Sequence, residues 1–269
     1  MIRQTELLTI EAIQSAITPQ AAARMAQLEI LATIDSTNTY LQNKKDLPNG
    51  YLCLAEQQTA ARGRRDKPWH APAGKNIYLS LCWYFTNAEQ LAGLSLVVGI
   101  AVANTLIKYG LPTIELKWPN DILYNQQKLC GILVEINKEK DDRYRAIIGI
   151  GINVAIPAEN NIINQPWTDI ETILQKPVAR NLLAAHLINE LLTLLPGFQT
   201  NGLTPFLTQW QQYDVLLNKP VMVQQQHEQL PGIALGIDNK GNLLVNFDGT
   251  IKPVYSSEVS VRLTKKYEK

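Results

Sequence analysis

Residues 91–107, LAGLSLVVGIAVANTLI, would present an apolar surface on nearly every side of a helix, and this limits the fold more than any other stretch. A helix without a polar face must be enclosed, either by a bilayer or by a core large enough to cover it. The run is a little short for a membrane span, contains Ser95 and Asn104, has charged residues close by at both ends and has no second run like it. A helix buried in a soluble core is therefore the preferred reading. A chain of 269 residues can build such a core, as one large domain or as two unequal ones. Hydrophobic content of 46% with 18% charged residues fits an ordinary globular protein, and a net charge of +1 gives no bulk attraction to nucleic acid or anionic membrane.

Cys53, Cys82 and Cys130 each sit in an apolar run, with no CxxC pair and no spacing that suits a metal site or a disulfide framework. They read as reduced core residues of a cytoplasmic protein. The opening MIRQTELLTIEAIQ lacks the apolar stretch and cleavage site of a secretory signal, so the mature chain is expected to begin here. Ile10, Ile13 and Ile17 fall at helical spacing and predict a short amphipathic helix. Only 34 residues precede Asp35, too few for this helix and a helix-turn-helix domain together.

Strand-like runs follow at Tyr51–Ala55, Ile77–Phe85, Ile114–Trp118, Leu129–Ile136 and Ala146–Asn153, with helical runs between or after them. The polar stretch 137–145 predicts an antiparallel hairpin and argues against a doubly wound parallel sheet. A long helix, Ala179–Leu195, is expected to stop at Pro196-Gly197. Beyond Trp210, short runs at Val221–Gln225, Ile233–Ile237, Leu243–Phe247 and Val259–Leu263 alternate with the turn sequences Asp238-Asn239-Lys240-Gly241 and Asp248-Gly249, as in a small barrel. The reading is an α+β fold with a mixed, largely antiparallel sheet. It divides into a lead-in over 1–30, a main domain over 31–213 and a small C-terminal domain over 218–269.

Four cations surround a glycine in Ala61-Arg62-Gly63-Arg64-Arg65-Asp66-Lys67-Pro68-Trp69. Guanidinium groups grip phosphate or carboxylate, glycine admits a close backbone approach, and Trp69 offers a face on which a ring can stack. A nucleotide or acyl-phosphate suits this loop. A solvated charge run and a nucleic-acid patch are the competing readings, the latter disfavoured by the scarcity of cations nearby. There is neither a Walker A motif nor a dinucleotide fingerprint. With several like charges and no apolar anchor before Trp69, the loop should be mobile until an anion neutralises it.

Asp35-Ser36-Thr37-Asn38 has the residue types of a helix N-cap, whose free N–H groups and hydroxyls can also hold a polar head group. Lys117-Trp118-Pro119-Asn120-Asp121 gathers a lysine, an amide and a carboxylate beside a strand-breaking proline, either as a site or as a plain turn. Lys128 stands before the apolar run Leu129–Val134. Gly149 and Gly151 weaken a strand unless a ligand or a tightly packed helix must come close. His70, His186 and His227 are dispersed and read as structural. With no evident nucleophile, charge stabilisation and positioning are the chemistry that fits.

Taken in order, Asp35–Asn38, Glu56–Arg65 through Trp69, Lys117–Asp121, Lys128–Gly131 and Gly149–Asn153 resemble the biotin–protein ligase family, in the form lacking the N-terminal helix-turn-helix domain. The resemblance continues through Trp210, Asn218-Lys219-Pro220-Val221, Asp248-Gly249 and Glu258-Val259-Ser260-Val261-Arg262. It implies a class II synthetase-like catalytic domain and a C-terminal domain of SH3-like form. Ser36, Thr37, Asn38 and Gln58 would hold the head of biotin; Arg62, Gly63 and Arg64 would close over biotin and the adenylate. Lys128 would bind the biotin carboxylate and then the acyl-phosphate, Lys117 would help neutralise the phosphates, and Trp69 would stack on adenine. Asn120 and Asn153 would line the nucleotide side, and Gly131 falls in the Lys128–Gly131 motif. Biotin, ATP and Mg2+ are implied, with magnesium ligands unassigned, and the partner would be a biotin carboxyl carrier protein. No operator DNA or membrane is expected as a partner, and a monomer and a homodimer are both open.

The family loop usually begins with a glycine where Ala61 stands and carries another where Asp66 stands. Asp66 is expected to pair with Arg64 or Lys67, or to weaken anion binding. Two rivals stay open: a lipoate or octanoyl transferase or ligase, and a binding module that holds nucleic acid or biotinyl-adenylate without transferring it.

Overall fold

The computed structural model describes residues 6–157, 163–225, 228–256 and 259–264. Two short helices, α1 (Ile10–Gln14) and α2 (Pro19–Ala22), start at the N-caps Thr9 and Thr18. Then come β1 (Gln27–Ile34), α3 (Thr37–Asn43), β2 (Tyr51–Gln58), β3 (Asn76–Phe85) and α4 (Leu94–Tyr109). Strands β4 (Glu115–Lys117), β5 (Asp121–Tyr124), β6 (Gln127–Lys138) and β7 (Tyr144–Asn153) follow, and after them helices α5 (Ile170–Leu174), α6 (Arg180–Asn201) and α7 (Leu207–Tyr213). The chain closes with β8 (Pro220–Gln225), β9 (Glu228–Ile237), β10 (Leu243–Phe247), β11 (Thr250–Val254) and β12 (Val259–Leu263).

The first seven strands form one sheet in the order β1-β2-β3-β7-β6-β5-β4, antiparallel except for the β1–β2 pair. The expected hairpin over 137–145 is the β6–β7 connection. Side chains alternate between sheet faces, and β3, β6 and β7 use this alternation to separate core from site. One face carries Leu79, Leu81, Cys130, Ile132, Ile148, Ile150 and Ile152 into the core shared with α4 and α6. Of the residues at the intervening positions, Ser80, Gly131, Glu135, Gly149 and Gly151 are small or polar, and Leu133 is the apolar exception.

Helix α4 is the all-round apolar run. Ala88–Tyr109 is long and apolar enough to span a membrane by length and composition alone. Here α4 is enclosed by β4, β5 and β6 and by α6 and α7. It stops at Gly110, whose φ of 111° lets its own N–H bond to Ile107 O and that of Leu111 to Leu106 O.

The sequence predicted that the long helix would stop at Pro196-Gly197, but α6 continues through both to Asn201. A proline inside a helix deprives the carbonyl four residues earlier of its donor. That carbonyl belongs to Leu192, and Arg24 Nη1 donates to it at 2.9 Å. Beyond the proline, Phe198 is fully buried with its ring edge-on to Phe85 and Phe206, so continuing the helix gains core.

The remaining strands form a five-stranded antiparallel sheet, β11-β10-β9-β8-β12. Asp238 Oδ1 accepts from Lys240 N and Asn242 N, both at 2.9 Å, and shapes the first turn. Asp248 and Gly249, with φ of 49° and 90°, form the two-residue hairpin joining β10 to β11. The buried valines of this sheet merge with the main core, and Trp118 Nε1 donates to Gly241 O at 2.9 Å, bracing the two sheets together.

Candidate functional site

A cleft of about 930 Å³ opens over β6 and β7 at Gly131, Gly149 and Gly151. Every ligand or catalytic candidate named from the sequence lines it: Ser36, Thr37, Asn38, Gln58, Arg62, Gly63, Arg64, Trp69, Lys117, Asn120, Lys128, Gly131 and Asn153.

One end is built on the start of α3. Ser36 caps the helix, accepting from Thr39 N at 3.4 Å, so Thr37 and Asn38 are delivered to the sheet surface, where both are buried. Gln58 Oε1 accepts from the Thr37 N–H at 2.8 Å and its hydroxyl at 3.1 Å. Ser80, fully buried on β3, donates to Asn38 Oδ1 at 2.6 Å and lies 2.8 Å from Thr37 Oγ1. Asn38 comes so close to β7 that a Cβ on Gly149 would stand 2.3 Å from its Oδ1, which accounts for that glycine. Of the two reasons offered for glycine in this strand, packing against a helix holds at Gly149.

At Gly131 and Gly151, which are cross-strand partners, the close neighbour is the Trp69 ring, and a Cβ at either would meet it at 3.0 or 3.1 Å. Trp69 Nε1 is buried and has no hydrogen-bond partner among the described residues. The basic loop leading to this ring is ordered by Gly63 N to Lys67 O at 2.7 Å and Trp69 N to Ala61 O at 2.9 Å. Ala61 is buried with Ala71 and Tyr78 against Trp69, an apolar anchor that the sequence reading had denied the loop. Asp66 has φ 54°, in the left-handed region, which gives a physical reason for glycine at this position in the family pattern; Ala61 needs no such freedom. Asp66 pairs with Arg62 at 3.6 Å, not with Arg64 or Lys67 as expected from sequence, because the left-handed turn at Arg65 and Asp66 folds the chain back toward Arg62.

The other end is cationic. Arg64 reaches across the cleft to Asn120 Oδ1 at 3.3 Å and donates to the Ser256 carbonyl. Burial and the charge of Arg65 make its cation costly, a condition that an anion would relieve. Burial likewise holds the Lys117 ammonium below the usual lysine range, opposed by Asp121 and assisted by Lys128 and Arg262. Lys128 pairs with Asp121 at 2.6 Å and stands 5.2 Å from the centre of the Trp69 ring. Asn120 Nδ2 donates to Ile132 O at 2.8 Å, fixing its oxygen toward Arg64. Asn153 Nδ2 donates to Thr168 O at 3.0 Å and Lys128 O at 3.3 Å, tying the segment after residue 163 to the strand that carries Lys128.

Comparison with known proteins places these features in a lineage. Residues 30–153 match the biotin/lipoate A/B protein ligase family, and residues 216–262 match the biotin protein ligase C-terminal domain. The bifunctional ligase/repressor BirA of Escherichia coli is 41% identical over 240 residues, covering 88% of this chain and 74% of the relative. The chain belongs to the biotin protein ligase family. Another relative in that family, the biotin–[acetyl-CoA-carboxylase] ligase of Mycobacterium tuberculosis, is 30% identical over 252 residues, 89% of this chain and 90% of the relative. The Aquifex aeolicus biotin protein ligase, solved in complex with biotin and ATP, aligns with a TM-score of 0.79 at 26% identity over 89% of this chain and all of that one.

Within this biotin protein ligase fold, several residues of the cleft wall and of the layer behind it went unnoticed in the sequence. Ser80 sits in an unbroken apolar run, and nothing in that run distinguishes its hydroxyl. Glu135 reads as the outward residue of a strand. Trp167 and Arg262 line the cleft from distant segments; Arg262 was quoted in the family motif without a role. His70 lines the cleft, with burial lowering its pKa, and His186 lies on α6 edge-on to Tyr109. His227 and Glu258 lie outside the described residues. Among the described residues no three His, Cys, Asp or Glu side chains cluster as a metal site.

Proposed function

We infer that this chain is an ATP-dependent biotin–protein ligase, making biotinyl-5'-AMP and passing the biotinyl group to a lysine of a biotin carboxyl carrier protein. One observation carries the reading: a neutral hydrogen-bonding pocket at Thr37, Asn38 and Gln58 and a cationic end at Arg64, Lys117 and Lys128 belong to a single cleft. A ureido head needs the first, and a carboxylate meeting a triphosphate needs the second.

Biotin would lie with its head at α3 and its carboxylate at Lys128, in exchange for Asp121. The carboxylate oxygen attacks the α-phosphorus, the bond to the β-phosphate breaks and pyrophosphate leaves. Arg64 and Lys117 counter the charge that develops. The carrier amine then attacks the acyl carbon, displacing AMP and releasing a proton. Adenine would stack on Trp69, whose buried N–H offers a donor, with Asn120 and Asn153 along the nucleotide side. Arg62 and Gly63 would belong to a loop that closes and keeps water from the anhydride. Magnesium would enter as the counter-ion of ATP, neutralising phosphate charge; Asp121 is the only carboxylate among the described residues lining the cleft.

We further propose the division at 1–30, 31–213 and 218–269, an SH3-like form for the last part, a cytoplasmic enzyme acting as monomer or homodimer, and no operator binding by this chain. The direct test is transfer of labelled biotin to a purified carrier domain with MgATP. Wild type should transfer, and Arg64→Ala and Lys128→Ala should each lose roughly a hundredfold or more. Tight biotin binding without transfer by the wild type would sink the enzyme reading.

A further inference from the structure

We infer that Glu135 is a positioning residue, a carboxylate that holds the Asn38 amide and the Arg62 guanidinium together and so ties the basic loop to the floor of the cleft. The inference rests on the ligase reading, and it adds a residue outside the cleft lining.

Glu135 Oε2 accepts from Asn38 Nδ2 at 2.8 Å, and Glu135 Oε1 pairs with Arg62 Nη1 at 2.8 Å. The second amide proton of Asn38 goes to Leu133 O at 3.2 Å. A reversed amide would set the Asn38 oxygen against a carbonyl and a carboxylate, so Glu135 decides which end of Asn38 meets Ser80. Arg62 is turned along α3 by the same carboxylate, with Nη2 3.5 Å from Thr39 Oγ1 and 3.4 Å from Gln42 Oε1. Its other acidic partner, Asp66, is 87% exposed against 18% for Glu135, and an exposed pair orients little. Arg62 and Arg64 therefore have different tasks: Arg62 anchors the loop to α3, while Arg64, on the far side of Gly63, reaches Asn120 across the cleft.

Glutamine at 135 keeps one acceptor oxygen and would turn its NH2 group toward one of the two donors, which now meet different carboxylate oxygens. Glu135→Gln should raise the KM for biotin about tenfold, as loss of a charged hydrogen bond does, and leave kcat and the KM for ATP within about threefold. The effect on biotin should be smaller in an Arg62→Met background, because the two side chains act together. An unchanged biotin KM, additive effects with Arg62→Met, or parallel losses in kcat and both KM values would each overturn the inference. Should Glu135→Gln not fold, Glu135→Ala is read by the same ratio, and failure of both to fold would mark Glu135 as structural only. An inactive wild type would instead refute the ligase reading, which separates the two failures.

Discussion

A methyl group on Gly149 would stand 2.3 Å from Asn38 Oδ1, whereas one on Gly151 would meet Trp69 at 3.1 Å. The same substitution two residues apart should therefore strike different substrates. Gly149→Ala is expected to weaken biotin binding while ATP binding is nearly retained, and Gly151→Ala to do the reverse, with stability falling by about 1–3 kcal/mol in each from overpacking. Separate titrations with biotin and with ATP check this; equal losses of both ligands in either variant would contradict it. The glycines were legible in the sequence because glycine in a strand is costly and calls for a cause. Ser80 and Glu135 were not, since a serine or a glutamate in a strand is unremarkable until its partners on other elements are known. The direction of Asp66 was likewise hidden, because a left-handed turn decides whether it reaches forward or back.

At the scale of elements, Pro196 was a correct local signal overruled by tertiary structure. The Arg24 guanidinium occupies the carbonyl that the proline strands, and Arg24 lies 168 residues away in sequence. Arg24→Met should lower stability by about 1–3 kcal/mol in urea unfolding. Adding Pro196→Ala, which restores the helical N–H, should recover most of the loss; a double variant no better than the single one would refute the account. The strands at the sheet centre were legible as apolar runs because they are buried on at least one face. Strands β1, β5 and β11 escaped notice. β1 is an edge strand whose residues are mostly half-buried or exposed, β5 is four residues long, and β11 is an edge strand that tolerates Pro253 and exposes Ile251 and Lys252. Edges lack the two-sided burial that writes a hydrophobic pattern into sequence.

For the molecule as a whole, the three thiols report on the integrity of the fold. Burial pushes the Cys53 and Cys82 thiols up to about 12, and that of Cys130 higher still. Thiolates are the reactive form, so at pH 8 the native chain should resist alkylation on all three, and labelling should appear in step with global unfolding. Mass spectrometry across a urea series checks this, and a thiol labelled well before the transition would reveal local opening.

In chain order the residues lining the cleft run from Ser36 to Arg262, which lies on β12. A chain leaving the ribosome therefore has no complete cleft until β12 has emerged and paired with β8. An interrupted product of translation that ends before β12 lacks part of the cleft wall.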